Sequence, residues 1–189
     1  YLVLLGDNIL VSRGFISKNL RANLNPWNMR IFTHPVDCPE RFGVVERNSK
    51  GDLKHVVEKP ITSISREAVI GAYVIPSDVS EIMDSLVNSA RGETEIVDVI
   101  DYYLKKNRLE VEPLTQGTVW LDAGTTDDLE ASSSFVSMMQ RTSGQLLGSI
   151  EEAALKRGLI SEEQLIHVLD NMGESEYKKR LMSLVENMS

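Results

Sequence analysis

The chain has 189 residues, of which 42% are hydrophobic and 25% are charged, and these proportions are those of a globular protein with a substantial core. Its net charge of −8 at pH 7 argues against a general nucleic-acid binder, because no basic stripe is available to neutralise phosphates. No apolar run approaches the length that spans a bilayer, and no signal peptide is recognisable, which argues against a membrane partner. The single Cys38 cannot form an internal disulfide, so we expect a reducing compartment, the cytoplasm.

Short apolar runs separated by turn residues predict an α/β fold. We predict strands at residues 1–5, 29–33, 42–46, 53–57, 69–75, 109–114 and 118–121. Residues 48–52, Asn-Ser-Lys-Gly-Asp, are typical of a turn and join two of these strands as a hairpin. Because the first run begins at Tyr1 as a strand already under way, we expect the chain to be a fragment whose N-terminal part is missing.

Helix signals follow the fifth strand. Asp78 and Glu81 have the spacing of a capping box, which predicts a helix start. An apolar stripe at helical spacing follows them, and its members are Val79, Ile82, Met83, Leu86 and Val87. A second stripe consists of Ile96, Val99, Ile100, Tyr103 and Leu104. A third helix is predicted to begin near Thr126.

From Ser149 onward the strand signal disappears. Ser149 with Glu152, and Ser161 with Gln164, predict two more capping boxes, and a last helix is predicted at residues 175–184. The C-terminal part of the chain is therefore expected to be entirely helical.

This change in composition divides the chain into two parts. We predict that residues 1–142 form an α/β body, a mixed sheet flanked by helices, and that residues 149–189 form a small helical appendage. The sequence contains no internal repeat and no low-complexity segment.

Two aspartates follow apolar strands that lie far apart in the sequence. Asp7 comes after Leu-Val-Leu-Leu-Gly, and Asp122 comes after Val-Trp-Leu and before Ala-Gly-Thr. Ligands of open α/β sheets bind outside the carboxyl ends of the strands, so both carboxylates could face one crevice. Each could also be ordinary, Asp7 in a turn and Asp122 assisting a helix cap. Together they favour a Mg²⁺ site, since Mg²⁺ commonly takes one or two carboxylates and completes its shell with water and phosphate oxygens.

Charged residues at two loops could bind a sugar phosphate. Glu58 and Lys59 precede Pro60, which disfavours helical geometry at Lys59. Spacing alone is compatible with a solvated strand end, but Glu58 could accept sugar hydroxyls and Lys59 could bind a phosphate. Arg91 precedes a helix, where it is either a surface residue or a bidentate phosphate ligand.

Glycine and aromatic residues suggest a pocket nearby. Gly71 lies inside a predicted strand, which indicates close approach of a ligand or of backbone. Tyr73 and Trp120 are compatible with either core packing or a pocket wall. The three histidines lack the spacing of metal ligands, and nothing in the sequence supports a nucleophilic residue that reacts covalently.

Taken together, several motifs resemble the sugar-phosphate nucleotidylyltransferases, and among them the glucose-1-phosphate thymidylyltransferases. The matching stretches are LGDNIL, PERFGVVE, EKP, AVIGAYV, RGETEIVDVI and WLDAGTTDDLEASSSFV, in the family's order. The C-terminal stretches EEAALKRGLISEEQL and EYKKRL are similar to the helical end of these enzymes. The resemblance implies the Rossmann-like nucleotide-diphospho-sugar transferase fold, incomplete at its N-terminus.

The resemblance also implies roles for individual residues. Asp7 and Asp122 match the two aspartates that bind the catalytic Mg²⁺. The substrate-binding and catalytic positions that match are Gly43 and Glu58 for glucose hydroxyls, Lys59 and Arg91 for the sugar phosphate, and Val69, Gly71, Tyr73 and Trp120 for the sugar pocket. The implied reaction joins glucose 1-phosphate and dTTP to give dTDP-glucose and pyrophosphate, at the start of dTDP-rhamnose and O-antigen biosynthesis. A homotetramer is implied as well.

One family motif is absent from this sequence. No G-x-G-T-R loop, which binds the triphosphate in the family, occurs in it, so we expect the fragment by itself to be inactive. Two alternatives stay open: a related enzyme that uses another nucleotide or sugar, such as UTP, and a truncated module without catalysis.

Overall fold

A mixed sheet of six strands organises the N-terminal part of the computed structural model, which describes residues 1–12, 14–15, 25–62, 65–83 and 95–186. Its strands are β1 (Leu2–Leu4), β3 (Met29–Pro35), β4 (Gly43–Arg47), β5 (Leu53–Glu58), β6 (Glu67–Val74) and β7 (Leu109–Pro113). The order is β5–β4–β6–β3–β7, with β1 beside β6. Among the described strands, only β3 and β7 pair in parallel, so the predicted α/β fold with a mixed sheet is confirmed.

A second, two-stranded sheet was not predicted in full. It pairs β2 (Asn8–Val11) with β8 (Val119–Asp122) in antiparallel fashion, so that Asn8 lies opposite Asp122. The strand β8 was expected, whereas β2 was not. The two strands bring together segments from the two ends of the α/β part of the chain.

Alternating side chains cover both faces of the main sheet, as the two-residue period of a strand requires. On β6, Val69 and Tyr73 belong to one buried cluster, whereas Ile70 and Ala72 belong to another. The predicted hairpin is also present: β4 and β5 pair around a turn in which Asn48 N–H donates to the Asp52 carbonyl.

The helix α2 (Ile96–Lys105) packs its apolar stripe into the core, where Val99, Ile100 and Tyr103 are buried. It ends in a Schellman motif, with Asn107 at φ 53 and the Arg108 N–H donating to the Tyr103 carbonyl. The preceding helix, α1, is described for Val79–Met83; the rest of its predicted stripe lies outside the described residues.

The carboxylate of Asp78 links the helices α1 and α2 by hydrogen bonds. It accepts hydrogen bonds from Tyr103 Oη at 2.7 Å and from Arg108 Nη2 at 2.8 Å. Tyr103 and Arg108 follow Asp78 by 25 and 30 positions, so the bonds link α2 and its C-terminal turn to the start of α1.

The chain divides into two compact units, Tyr1–Asp128 and Leu129–Ser189. The division falls within the first turn of α3 (Thr126–Ser143), whereas the limits expected from composition lay further along the chain. Of the helices in the described residues, none is long and apolar enough to cross a membrane.

The second unit is helical, as expected, and has its own core. Its other helices are α4 (Ile150–Lys156), α5 (Glu162–Asp170) and α6 (Glu176–Glu186). Ser161 and Gln164 form the complete capping box that was predicted. At α4 only half of the box forms: Ser149 Oγ accepts from the Glu152 N–H, while the Glu152 carboxylate accepts from the Leu146 N–H instead.

The leucine core of this unit leads to a stability prediction. Leu165 is fully buried with Leu155, Leu169 and Leu181, whereas its neighbour Ile166 is 45% exposed. We expect Leu165→Ala to lower the free energy of unfolding by about 2–5 kcal/mol, because it removes buried surface and leaves a cavity. Ile166→Ala is the matched control, with an expected loss under about 1 kcal/mol. Urea denaturation measures both, and equal losses would contradict the assigned core.

Candidate functional site

A cavity of about 550 Å³ opens in the first unit, where the two sheets come together. Its walls contain every predicted site residue that the structure describes: Asp7, Gly43, Glu58, Lys59, Val69, Gly71, Tyr73, Trp120 and Asp122. The remaining predicted residue, Arg91, lies outside the described residues. Residues chosen from five separate stretches of sequence therefore share one cavity.

The pairing of β2 with β8 brings the two aspartates together. Asp7 lies in the turn before β2, and its carbonyl accepts the Ala123 N–H at 2.8 Å. Asp122 ends β8. Burial and the negative charge of Asp7, in that order, raise the pKa of Asp122, and the positive charge of Arg41 opposes the rise. The exposed Asp7 carboxylate thus repels the partly buried Asp122 carboxylate, which is an arrangement that a cation would stabilise.

The donor set fits Mg²⁺ better than a metal held by protein ligands alone. The described residues contain no group of three or more His, Cys, Asp or Glu side chains that could hold a metal ion. Mg²⁺ needs only one or two carboxylates when waters and substrate phosphate oxygens complete its octahedron. Asp7 and Asp122 would supply those carboxylates from the wall of an open cavity.

Arg41 is a cavity residue that the sequence analysis missed. It ends the 3₁₀ turn Pro39–Arg41, and its Nη2 lies 3.6 Å from Asp122 Oδ2 while it pairs closely with Asp128. Asp128 is held in turn by Thr125 Oγ1, which donates to it at 2.6 Å. The positive charge of Arg41 therefore lies beside the aspartate pair, and Asp128 in the first turn of α3 holds it there.

Glu58 and Lys59 form a charged edge of the cavity. Glu58 ends β5 opposite Gly43, and a Cβ on Gly43 would lie only 3.2 Å from Glu58 Oε2, so the glycine gives the carboxylate room. Lys59 has φ 44. The residue before a proline normally takes an extended conformation, but Lys59 lies in the left-handed region. Its N–H donates to the Phe42 carbonyl at 3.0 Å.

The floor of the cavity comes from one face of β6. Val69, Gly71 and Tyr73 alternate along the strand and all line the cavity. Burial, followed by the charges of Glu58 and Asp7, raises the pKa of Tyr73 to about 12. Its hydroxyl therefore stays protonated at neutral pH and can donate a hydrogen bond.

Asn8 and Trp120 connect this floor to the aspartates. The Trp120 ring packs edge-to-face on Phe42, with centroids 5.1 Å apart, and its Nε1 donates to Asn8 Oδ1 at 2.6 Å. Asn8 was part of a motif in the sequence, but it was not predicted as a site residue. The close approach expected at Gly71 is made by this side chain.

Comparison with known proteins decides the family. The family model described as "Nucleotidyl transferase" matches residues 1–138. The chain belongs to this family. The match covers the whole first unit and hence every wall of the cavity, and it confirms the resemblance at the level of the family.

Individual relatives agree with this assignment. A glucose-1-phosphate thymidylyltransferase of Mycobacterium tuberculosis is 39% identical over 97% of this chain, which spans 64% of that protein's length. A Bacillus anthracis protein assigned as a glucose-1-phosphate thymidylyltransferase, crystallised with sucrose, is 33% identical with a TM-score of 0.62, over 71% of this chain and 53% of the other. An apo UDP-glucose pyrophosphorylase, 23% identical, has a TM-score of 0.60 over 73% of this chain and 54% of the other; it supports the fold alone.

Proposed function

We propose that this chain carries the sugar-phosphate side of a glucose-1-phosphate thymidylyltransferase, which transfers a thymidylyl group from dTTP to glucose 1-phosphate and releases pyrophosphate. The observation that carries the proposal is the shared cavity: carboxylates for a cation, an ammonium for a phosphate and polar groups for a sugar line one space of about 550 Å³. The relatives named thymidylyltransferase match over this whole region, which supports dTTP over other nucleotides.

The two substrates of the proposed reaction, glucose 1-phosphate and dTTP, are both anions. A phosphate oxygen of glucose 1-phosphate attacks the α-phosphorus of dTTP in line, a new P–O bond forms, and the bond to the pyrophosphate oxygen breaks. No covalent bond to the protein is required. Catalysis then consists of positioning and of electrostatic stabilisation of the transferring group.

The residues of the cavity are suited to these tasks. Lys59 would hold the sugar phosphate as a point charge, and Arg91 is proposed to assist it. Glu58, with the backbone of Gly43 beside it, would accept hydrogen bonds from glucose hydroxyls. Val69, Gly71, Tyr73 and Trp120 would enclose the sugar ring and exclude water. Arg41 adds positive charge next to Asp122.

Asp7 and Asp122 are proposed to hold Mg²⁺. When bound there, the cation would screen the repulsion between the two substrates and polarise the transferring phosphoryl group. Asp122 ends β8 and Asp7 directly precedes β2. Because these two strands form one antiparallel pair, backbone hydrogen bonds hold the two residues next to each other.

Two measurements test the proposal. In the first, pyrophosphate release is followed with dTTP, UTP and other nucleotides together with glucose 1-phosphate and Mg²⁺, using this chain and the complete product of its gene. We expect the gene product to prefer dTTP. In the second, calorimetry follows the binding of glucose 1-phosphate to this chain, with galactose 1-phosphate as a comparison.

Their outcomes separate the alternatives. Preference for UTP would replace the nucleotide in the proposal but keep the reaction class. A folded gene product without pyrophosphate release above background would contradict the reaction. Absence of glucose 1-phosphate binding in that protein would contradict the assignment of the cavity as well.

We extend the proposal to assembly and pathway. A homotetramer is proposed on the resemblance. Light scattering measures the mass, and a monomer at assay concentration would contradict assembly. The product dTDP-glucose would enter dTDP-rhamnose synthesis.

A further inference from the structure

The side-chain amide of Asn8 makes three hydrogen bonds, all of them to cavity residues. Its Nδ2 donates to Asp7 Oδ1 at 2.8 Å. Its Oδ1 accepts from the Gly71 N–H at 3.1 Å and from Trp120 Nε1 at 2.6 Å. One amide thereby joins the proposed cation ligand, the floor strand β6 and the aromatic wall.

The two donors fix the orientation of the amide. A backbone N–H and an indole N–H can only donate, so the oxygen of Asn8 must face Gly71 and Trp120. The amide nitrogen is then the end that faces Asp7, and it can only donate to the carboxylate. No other orientation of Asn8 satisfies all three neighbours at once.

Gly71 makes this arrangement possible. A Cβ at position 71 would lie 2.7 Å from both Cγ and Oδ1 of Asn8 and 2.8 Å from its Nδ2, distances shorter than van der Waals contact. A glycine in the middle of a strand weakens it and leaves no side chain to pack. Here the empty volume is filled by the Asn8 amide.

Asp7 needs such a support because it lies in a turn and is exposed. Its side chain would otherwise sample several rotamers, and binding a cation would require one of them to be selected. The bond from Asn8 Nδ2 selects a rotamer in advance. Partners behind a metal ligand commonly change metal affinity by about 10–100-fold when they are removed.

We propose that Asn8 is a positioning residue, which orients Asp7 for Mg²⁺ and couples this carboxylate to the Trp120 wall of the sugar pocket. The inference rests on the proposed function for the role of Asp7 as a cation ligand. As a consequence, Mg²⁺ binding at Asp7 should change the environment of the Trp120 indole, because the Asn8 amide is hydrogen-bonded to both residues.

The chain offers a matched control for the decisive variant. Asn48, in the β4–β5 hairpin, also donates from Nδ2 to a carboxylate, Asp52 Oδ2 at 3.1 Å, and its Oδ1 also accepts two N–H groups, those of Lys50 and Asp52. It does not line the cavity. Asn8→Ala and Asn48→Ala therefore each remove one bond to a carboxylate and two bonds from N–H donors, at two different places.

The experiment is a Mg²⁺ titration of this chain followed by ¹H–¹⁵N NMR. The chain has two tryptophans, and Trp27→Phe identifies the Trp120 indole resonance. We expect Mg²⁺ to shift this resonance in the unaltered chain. Asn8→Ala should raise the Mg²⁺ Kd about tenfold or more and abolish the shift of the indole, whereas Asn48→Ala should leave the Kd within about twofold.

Several outcomes would overturn the inference: a Kd for Asn8→Ala as close to the unaltered value as that of Asn48→Ala, or no Mg²⁺-dependent indole shift in the unaltered chain. If Asn8→Ala does not fold, Trp120→Phe takes its place, because it removes only one anchor of the Asn8 amide. It should raise the Mg²⁺ Kd about threefold, a smaller effect than loss of the whole amide; an unchanged Kd would overturn the inference.

The transfer assay separates this inference from the proposed function. A gene product without thymidylyl transfer, whose Mg²⁺ Kd and indole shift still depend on Asn8, would contradict the function and leave the positioning role standing. A gene product that transfers the nucleotidyl group, while Asn8→Ala binds Mg²⁺ normally, would contradict the positioning role alone.

Discussion

Asp122→Asn is expected to lower kcat/KM for pyrophosphate release about a thousandfold in the complete gene product, equivalent to about 4 kcal/mol of transition-state stabilisation. The amide keeps the shape of the side chain but removes the charge that would hold Mg²⁺. The thermal midpoint should not fall, because the substitution also removes the repulsion of Asp122 by Asp7 and Asp128. Initial rates and circular dichroism measure the two effects.

Asp127→Asn is the matched control for this variant. Asp127 is an exposed carboxylate in the first turn of α3 that does not line the cavity, and its loss should change kcat/KM by less than about twofold. Asp7→Asn should resemble Asp122→Asn, and the double variant should lose little more than either single one, since the two carboxylates act as a unit. An Asp122→Asn protein with more than about a tenth of normal activity would contradict the assignment.

The hairpin turn and the second capping box were predicted correctly because interactions between neighbouring residues determine these structures. The hairpin turn at Asn48 and the capping box of Ser161 with Gln164 depend on hydrogen bonds between residues a few positions apart. Such bonds form wherever the residue types and spacing are right. The apolar stripe of α2 is similarly a property of one segment.

The strand β2 was not predicted because the strand that stabilises it, β8, lies far away in the sequence. Asn8–Val11 is short, follows a turn, and pairs with β8, so that Asn8 bonds a residue 112 positions away. Four residues with one polar end give no period by themselves. Both aspartates were predicted as site residues because each lies at the junction of a strand and a turn, which is a local signal. The pairing of β2 with β8, which brings them together, could not be predicted from those local signals.

Arg41 and Asn8 illustrate the same limit at the candidate site. Arg41 is one of many surface arginines by type, and its significance comes from Asp128, which is 87 positions away. The motif around Asn8 was recognised, but hydrogen bonds to Gly71 and Trp120 depend on three segments meeting. Gly71 did carry a usable signal: a glycine inside an apolar strand indicated that something approaches closely.

Lys59 combines a backbone feature with a charge, and two substitutions separate them. Lys59→Met keeps the left-handed conformation and removes the charge, whereas Lys59→Gly removes the charge and relieves the steric cost of φ 44. We expect both variants to raise the KM for glucose 1-phosphate about 10–100-fold, because a hydrogen bond to a charged group is lost. Lys59→Gly should be more stable than Lys59→Met by about 1 kcal/mol, because glycine adopts positive φ without a clash.

Lys54→Met supplies the comparison for the charge. The two lysine side chains are similarly exposed, Lys54 at 56% and Lys59 at 54%. Each lies near a glutamate: Lys54 pairs with Glu46, and Lys59 Nζ lies 3.8 Å from Glu58 Oε1. Of the two, only Lys59 lines the cavity. Rates at varied glucose 1-phosphate and urea denaturation measure the effects. If Lys59→Met raises KM no more than Lys54→Met, the phosphate contact is wrong. If the two Lys59 variants are equally stable, the left-handed backbone at this position is not the source of strain.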